Sequence, residues 1–135
     1  MSDAAREFLD TNILVYAFST DPRSAAAESL LAKGCLVGVQ GLNEFANVAR
    51  RKLGWEWAEI GEALGVIRTL SRAVVPVDLE THSLAMSLAA QHGFSVFDAV
   101  MLASALRAGC ETIWSEDMQD GRVIEDRLRI ANPFV

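Results

Sequence analysis

Short apolar runs alternate with longer segments of helical periodicity along the whole chain, and this alternation limits the fold more than any other feature. The apolar runs cover residues 8–9, 35–39, 73–77, 111–114 and 127–130. Glycines 34, 54, 93 and 109 mark the ends of the helical segments between them. Regular alternation of strands and helices is typical of α/β proteins, in which helices cover a parallel sheet. We therefore predict an α/β fold with a mainly parallel central sheet.

The helical segments are predicted from the spacing of their apolar residues. The first begins at Thr11 or Asn12, and the others cover residues 24–33, 41–53, 55–72, 78–91 and 98–108. In the helix over 55–72, the residues expected to face the core are Ala58, Ile60, Ala63, Leu64, Ile67 and Leu70. The helix that Asp98 begins is apolar on nearly all sides, so we expect it in the middle of the domain. Pro76 places the third strand at a sheet edge or makes it end there.

Length and composition indicate one folded domain. A chain of 135 residues with 51% hydrophobic and 22% charged residues suits a single domain over 1–135 with one core. No apolar run reaches the roughly 18 residues that a bilayer span needs. The amino end lacks a basic segment followed by an apolar one, so we expect a cytoplasmic protein without a signal peptide. Cys35 and Cys110 lie in apolar stretches and are expected to be buried thiols.

Four acidic residues have apolar neighbours and lie at element ends or on an apolar helix. They are Asp10 after the first strand, Glu44 after the second, Asp98 at the start of the buried helix and Asp117 after Trp114. Because the carboxyl ends of parallel strands meet at one edge of a sheet, we expect the four side chains to share a cleft. Each also has an ordinary explanation: Asp10 and Asp98 as helix caps, Glu44 as an exposed helix residue, and Asp117 as a turn residue.

Carboxylates crowded into one pocket require protons or cations. At 4 Å, two like charges repel by about 4 kcal/mol at an effective dielectric constant of 20. Hard oxygen ligands suit Mg²⁺ or Mn²⁺. No Cys/His spacing typical of zinc is present, and His82 and His92 are expected at the surface. The sequence therefore indicates an acidic metal site.

Four segments carry a resemblance to a known family. Residues 8–16, 42–45, 96–105 and 114–121 resemble, in this order, the four acidic motifs of PIN-domain nucleases. The length and the ending over 130–134 resemble the VapC-type toxins of bacterial toxin–antitoxin pairs. The resemblance covers essentially the whole chain. It implies a PIN-like three-layer α/β/α fold and an endoribonuclease that depends on Mg²⁺ or Mn²⁺.

The resemblance also implies roles for particular residues and partners. Asp10 and Asp98 match the usual direct metal ligands, Glu44 and Asp117 match acids that act partly through water, Thr11 and Ser115 match hydroxyls near the metal or phosphate, and Asn12 matches a site-orienting residue. Asp120 is a further candidate acid. The implied partners are an RNA substrate, a VapB-like antitoxin whose tail lies in a groove of the early helices, and a second copy forming a homodimer; no membrane is implied.

A basic and aromatic segment follows the second acid. Its members are Arg50, Arg51, Lys52, Trp55 and Trp57, and they are candidate contacts for RNA or for the antitoxin. The ordinary explanation is a solvated helix end whose cations suit the helix dipole, next to core tryptophans. The net charge of −6 argues against RNA binding by general electrostatic attraction, but it is compatible with a nuclease whose acids are neutralised by metal.

Two other functions fit parts of the sequence. A non-catalytic binding module could keep the same fold. A phosphatase of the haloacid-dehalogenase type also begins with an aspartate at a strand end, but it needs a second aspartate at the position of Asn12.

Overall fold

The computed structural model describes residues 3–135 and contains a central sheet covered by helices. After a short 3-10 turn, Ala4–Arg6, the strands are β1 Glu7–Leu9, β2 Leu36–Gly38, β3 Ala73–Val75, β4 Thr112–Trp114, β5 Val123–Ile124 and β6 Leu128–Ala131. The helices are α1 Thr11–Ala17, α2 Ser24–Ala32, α3 Val39–Arg51, α4 Trp57–Leu70, α5 Leu79–His92 and α6 Val96–Arg107. The six strands form one sheet in the order β3-β2-β1-β4-β6-β5. Only the β5–β6 pair is antiparallel, so the predicted mainly parallel sheet is confirmed.

Helices cover both faces of the sheet and form two apolar layers. Phe8 and Leu9 are adjacent on β1 and fully buried, and they belong to different clusters because neighbouring strand residues point to opposite faces. Phe8 packs in the layer formed mainly by α5 and α6, and Leu9 in the layer formed by α1 to α4. The result is a three-layer α/β/α arrangement. Within residues 3–135, none of the helices combines the length and apolar character needed to cross a bilayer.

Close packing at one glycine brings three helices together near the carboxyl edge of the sheet. Gly41 lies on α3, and a Cβ added there would stand 3.3 Å from Cε of Met101 on α6 and 3.9 Å from Oγ1 of Thr11 on α1. Glycine therefore lets α3 approach both neighbours, and Glu44 lies one turn further along the same helix.

Several predicted boundaries are wrong, and α6 is the most informative. It begins at Val96 rather than Asp98, because the hydroxyl of Ser95 caps it by accepting a hydrogen bond of 3.2 Å from the backbone N–H of Asp98. Asp98 is therefore a first-turn residue and not the cap, and the helix dipole favours its charge there. Helix α3 begins at Val39, directly after β2, and α4 begins at Trp57.

Two further differences concern exposure and a missed strand. Ala58 and Leu70 on α4 are exposed and do not face the core. The β5–β6 hairpin was not predicted. Its turn residues Glu125 and Asp126 both have φ of 54°, but they do not form one of the residue pairs that usually indicate such a turn. Two-residue turns of this kind are usually signalled by Asn-Gly or Asp-Gly. The edge position of β3 and the buried, free Cys35 and Cys110 are confirmed.

A buried carboxylate at the start of β1 yields a first prediction. Glu7 is 2% exposed and accepts hydrogen bonds from Lys33 Nζ, at 2.7 and 2.9 Å, and from Trp114 Nε1, at 2.7 Å. Lys33→Met is expected to lower the free energy of unfolding by about 1–2 kcal/mol, because it removes an ion pair and two hydrogen bonds from a buried carboxylate while Lys33 itself is partly solvated. Urea unfolding followed by tryptophan fluorescence measures the change. Lys52→Met, at an exposed helix end, is the matched control, and equal midpoints for both variants would contradict the prediction.

Candidate active site

The candidate site lies where β1 and β4 end side by side. The two strands are in register, with Leu9 opposite Trp114, and the backbone N–H of Asp10 donates to the carbonyl of Trp114 at 3.0 Å. Asp10 caps α1, and its Oδ1 accepts from the backbone N–H of Thr11 at 2.8 Å. Its Oδ2 accepts from Ser115 Oγ at 2.7 Å and from Asn12 Nδ2 at 3.3 Å. These donors fix the orientation of the carboxylate, so the cap and a ligand role are compatible.

Burial controls the ionisation of Asp10. The residue is only 5% exposed, and loss of solvent raises its pKa to about 6, although hydrogen bonds from Ser115 and Thr11 act in the opposite direction. The charges of Asp98 and Glu44 raise the pKa further. A cation bound beside Asp10 would therefore stabilise the ionised form of this carboxyl group.

The other three acids lie close enough to interact electrostatically with Asp10 or with one another. Burial raises the pKa of Glu44, and so does the charge of Asp98, while a hydrogen bond of 3.3 Å from Gln40 Nε2 lowers it. Burial also raises the pKa of Asp98, with a smaller contribution from the charge of Asp117. The structure therefore brings the four predicted acids within electrostatic reach of one another. Across residues 3–135, however, no three acidic, imidazole or thiol groups are arranged as a ready-made metal site.

Asn12 and Ser115 connect the two loops of the cleft. Asn12 Nδ2 donates to Asp117 Oδ2 at 3.0 Å as well as to Asp10, and its Oδ1 accepts from the backbone N–H of Glu116 at 3.2 Å. Ser115 Oγ accepts from the backbone N–H groups of Asp117 and Met118 at 3.2 and 3.3 Å. Both residues therefore connect Asp10 with the loop that carries Asp117.

The hydroxyl of Thr11 lies at the cleft without a hydrogen-bond partner among the described residues. Thr11, Asn12, Glu44 and Asp117 line a cavity of about 300 Å³ at the cleft. Among the described residues, the buried Oγ1 of Thr11 has no hydrogen-bond partner, which is unusual for a buried polar atom. Carboxylate and hydroxyl oxygens are the donor set that Mg²⁺ and Mn²⁺ prefer. The residues present thus fit a hard divalent ion.

A sequence model of the PIN domain matches residues 8–122, a range that includes all four acids. The chain belongs to the PIN-domain family. This assignment excludes the haloacid-dehalogenase alternative. No curated protein sequence gave a significant match.

Solved structures with the same fold include bacterial toxins. VapC20 of Mycobacterium tuberculosis, described as a toxin that cleaves the sarcin–ricin loop, is 21% identical with a TM-score of 0.67, over 82% of this chain and 91% of that one. A toxin–antitoxin complex from Klebsiella pneumoniae is 18% identical with a TM-score of 0.67, over 94% and 97% of the two chains. VapBC2 of Rickettsia felis, bound to a DNA fragment from its promoter, is 18% identical with a TM-score of 0.67, over 93% of this chain and 97% of that one. The PIN-like three-layer fold is thereby confirmed.

Asp120 and the two histidines of this PIN domain have other surroundings. Asp120 Oδ1 accepts from the backbone N–H of Asn132 at 2.8 Å, so it fastens the carboxyl-terminal segment. His82 is exposed as predicted, whereas His92 is half-buried beside Phe94.

The basic and aromatic segment divides into a core part and a surface part. Trp55 is half-buried and packs edge to face on Phe45, with ring centroids 6.1 Å apart. Trp57 is 64% exposed, so the alternative explanation as a core tryptophan is wrong for this residue. The guanidinium of Arg50 lies 5.4 Å from the Trp57 ring centroid and donates to the carbonyl of Trp55 at 3.0 Å. Arg51 and Lys52 are exposed.

Sequence reasoning missed a network that supports the loop between Ser115 and Asp117. The hydroxyl of Tyr16 donates to Glu116 Oε1 at 2.8 Å, and Arg23 Nε pairs with Glu116 Oε2 at 2.9 Å. The Arg23 guanidinium also lies 5.0 Å from the centroid of the Tyr16 ring. These residues are distant in sequence and carry no motif, so only the fold brings them together.

Proposed function

We propose that this PIN domain is an endoribonuclease dependent on Mg²⁺ or Mn²⁺ and is the toxin of a toxin–antitoxin pair. The observation that supports this most directly is the placement of Asp10, Glu44 and Asp117 around one cleft, with Asp98 within electrostatic range. An uncompensated cluster of this kind favours binding of a hard cation.

Each residue of the cleft has a proposed role. Asp10 and Asp98 would hold the ion directly, and Glu44 and Asp117 would contribute partly through water. When bound, the ion supplies Lewis acidity at the scissile phosphate and lowers the pKa of a coordinated water. Ser115 and Asn12 keep Asp10 oriented, and the otherwise unpaired hydroxyl of Thr11 donates a hydrogen bond to a phosphate oxygen.

The substrate and partners are proposed from charge and from the family. With a net charge of −6, the protein cannot attract nucleic acid over its whole surface, so it must recognise RNA locally. Single-stranded or loop RNA exposes its bases and reaches an open cleft most easily. A VapB-like antitoxin is supported by the toxin–antitoxin complexes among the structures of the same fold. A homodimer follows from the sequence resemblance.

Incubation of the purified protein with single-stranded RNA tests this function. Cleavage is expected in Mg²⁺ or Mn²⁺, none in EDTA, and full recovery when Mg²⁺ is added in excess, because the carboxylates need the ion to act. Attack by water leaves no 2′,3′-cyclic phosphate, so mapping the product ends separates this activity from a contaminating ribonuclease that uses the 2′-hydroxyl. RNA that stays intact under every condition would instead favour the non-catalytic binding module.

A further inference from the structure

A second cavity adjoins the acidic cleft across helix α3. It has a volume of about 410 Å³ and is lined by Gln40, Asn43, Glu44, Asn47, Val48 and Phe97. Glu44 and Val48 also line the cavity that contains Thr11, Asn12 and Asp117, so the two cavities are neighbours along one surface. A volume of this size lies within the roughly 300–1,000 Å³ usual for small-ligand sites. We call this second cavity the amide pocket.

The chemistry of its lining favours a neutral, flat, polar ligand. Gln40, Asn43 and Asn47 are spaced so that their side chains share one face of α3. Each carboxamide carries both donors and an acceptor, which is the combination that pairs with the edge of a nucleobase. The one ionisable lining residue is Glu44, whose charge disfavours a phosphate inside the pocket. The amide pocket therefore suits a base and not the backbone of a nucleic acid.

Phe97 gives the pocket a stacking surface. It lies in the first turn of α6, its side chain is 62% exposed, and it immediately precedes Asp98 of the acidic cleft. Stacking of a base on an aromatic side chain contributes about 1–3 kcal/mol. An exposed ring beside a row of carboxamides and next to the cleft is thus placed to hold a base close to the acids.

Arg51 extends the same face toward the helix end. It lies one helical turn beyond Asn47 and is exposed. Its guanidinium can therefore pair with a backbone phosphate that lies outside the pocket. The same face of α3 thus carries the carboxamides, Glu44 and, at its end, a cation.

We propose that the amide pocket binds one unpaired base adjacent to the scissile phosphate, with Phe97 stacking on it and Asn43 and Asn47 contacting its edge. The proposal rests on the proposed nuclease function of the neighbouring cleft. It makes these residues determinants of which nucleotide is accepted beside the cut, whereas the acids determine only that a phosphodiester is cut.

A binding experiment tests the stacking part without requiring cleavage. A short single-stranded RNA containing 2-aminopurine is titrated, at low salt in Mg²⁺, with an Asp10→Asn protein and with the same protein carrying Phe97→Ala. The alanine variant is expected to bind about fivefold to a hundredfold more weakly and to lose the fluorescence quenching caused by stacking. Phe97→Tyr should retain both. Val96→Ala is the matched control, because Val96 is also exposed in the first turn of α6 but does not line the pocket.

A cleavage experiment tests the recognition part. Wild-type protein and Asn47→Ala are given RNA with randomised positions, and the bases flanking the cut are counted. The variant is expected to lose preference at one flanking position more than it loses total cleavage. No cleavage by the wild type would refute the nuclease function, whereas the binding titration would still decide the role of Phe97. Equal RNA affinity with and without Phe97 would overturn the inference, and weakened binding of an antitoxin peptide in that case would assign the pocket to the protein partner.

Discussion

Asp10→Asn is expected to lower RNA cleavage by at least about 100-fold, since loss even of a residue that only supports a metal ligand commonly costs 10- to 100-fold. Asparagine has nearly the shape of aspartate, and its one oxygen can still accept from the backbone N–H of Thr11, although the NH2 group in place of Oδ2 cannot accept from Ser115 Oγ. It removes the charge that the divalent ion requires. The fold is expected to persist, because Asp10 is buried at an unfavourable cost when ionised.

Cleavage rates measured at saturating Mg²⁺, together with circular dichroism of the same preparations, separate the two effects. Asp98→Asn is expected to behave in the same way as Asp10→Asn. The matched control is Asp126→Asn, which makes the same chemical change in the β5–β6 turn, before the start of β6. That turn lies at the edge of the sheet opposite the carboxyl ends of β1 and β4. Full activity in purified Asp10→Asn protein would contradict the assignment of the site.

The parallel sheet could be predicted because strand and helix signals are local. A run such as Phe8-Leu9 is apolar on both faces, and in the structure each face is covered by helices. The start of α6 could not be fixed in this way, since both Ser95 and Asp98 are good caps and only packing decides between them. The β5–β6 hairpin was missed for a related reason: its turn has no glycine or asparagine at its two central residues.

The four acids could be anticipated because a carboxylate next to apolar residues is conspicuous in sequence. The connection of Tyr16 and Arg23 to Glu116 was not visible, because each residue is ordinary in its local context. The exposure of Trp57 was equally hidden, since a tryptophan near the start of a helix usually indicates burial. Residues that act through the arrangement of separate elements therefore need the structure.

Burial and crowding of the acids also make the stability of the metal-free protein depend on pH. In the metal-free protein the folded-state pKa of Asp10, about 6, is higher than its ordinary value of 3.8. Between these pH values the folded protein binds more protons than the unfolded chain, so the free energy of unfolding falls as the pH rises from about 4 to about 6. The raised pKa values of Glu44 and Asp98 act in the same direction.

In EDTA, the free energy of unfolding of the wild type is therefore expected to fall as the pH rises from 4 to 7. This fall should exceed that of Asp10→Asn by about 3 kcal/mol. Mg²⁺ should reverse this loss at pH 7, because an ion at 100 times its dissociation constant stabilises the folded state by about 2.7 kcal/mol. At pH 4 the same Mg²⁺ should have little effect, since a protonated Asp10 is a poor ligand. Urea unfolding at both pH values, with and without Mg²⁺, measures all of these differences.

The Asp10→Asn protein is the control that ties the effect of Mg²⁺ to the acidic cleft. In this variant the dependence on pH between 4 and 6 should be smaller, and Mg²⁺ should raise the unfolding midpoint much less than in the wild type. Asp126→Asn should follow the wild type under every condition, since its side chain is exposed and distant from the cleft. Equal stabilisation of wild type and Asp10→Asn by Mg²⁺ would show that the ion binds elsewhere. Because this measurement requires no RNA, it tests the metal site even if the substrate is never identified.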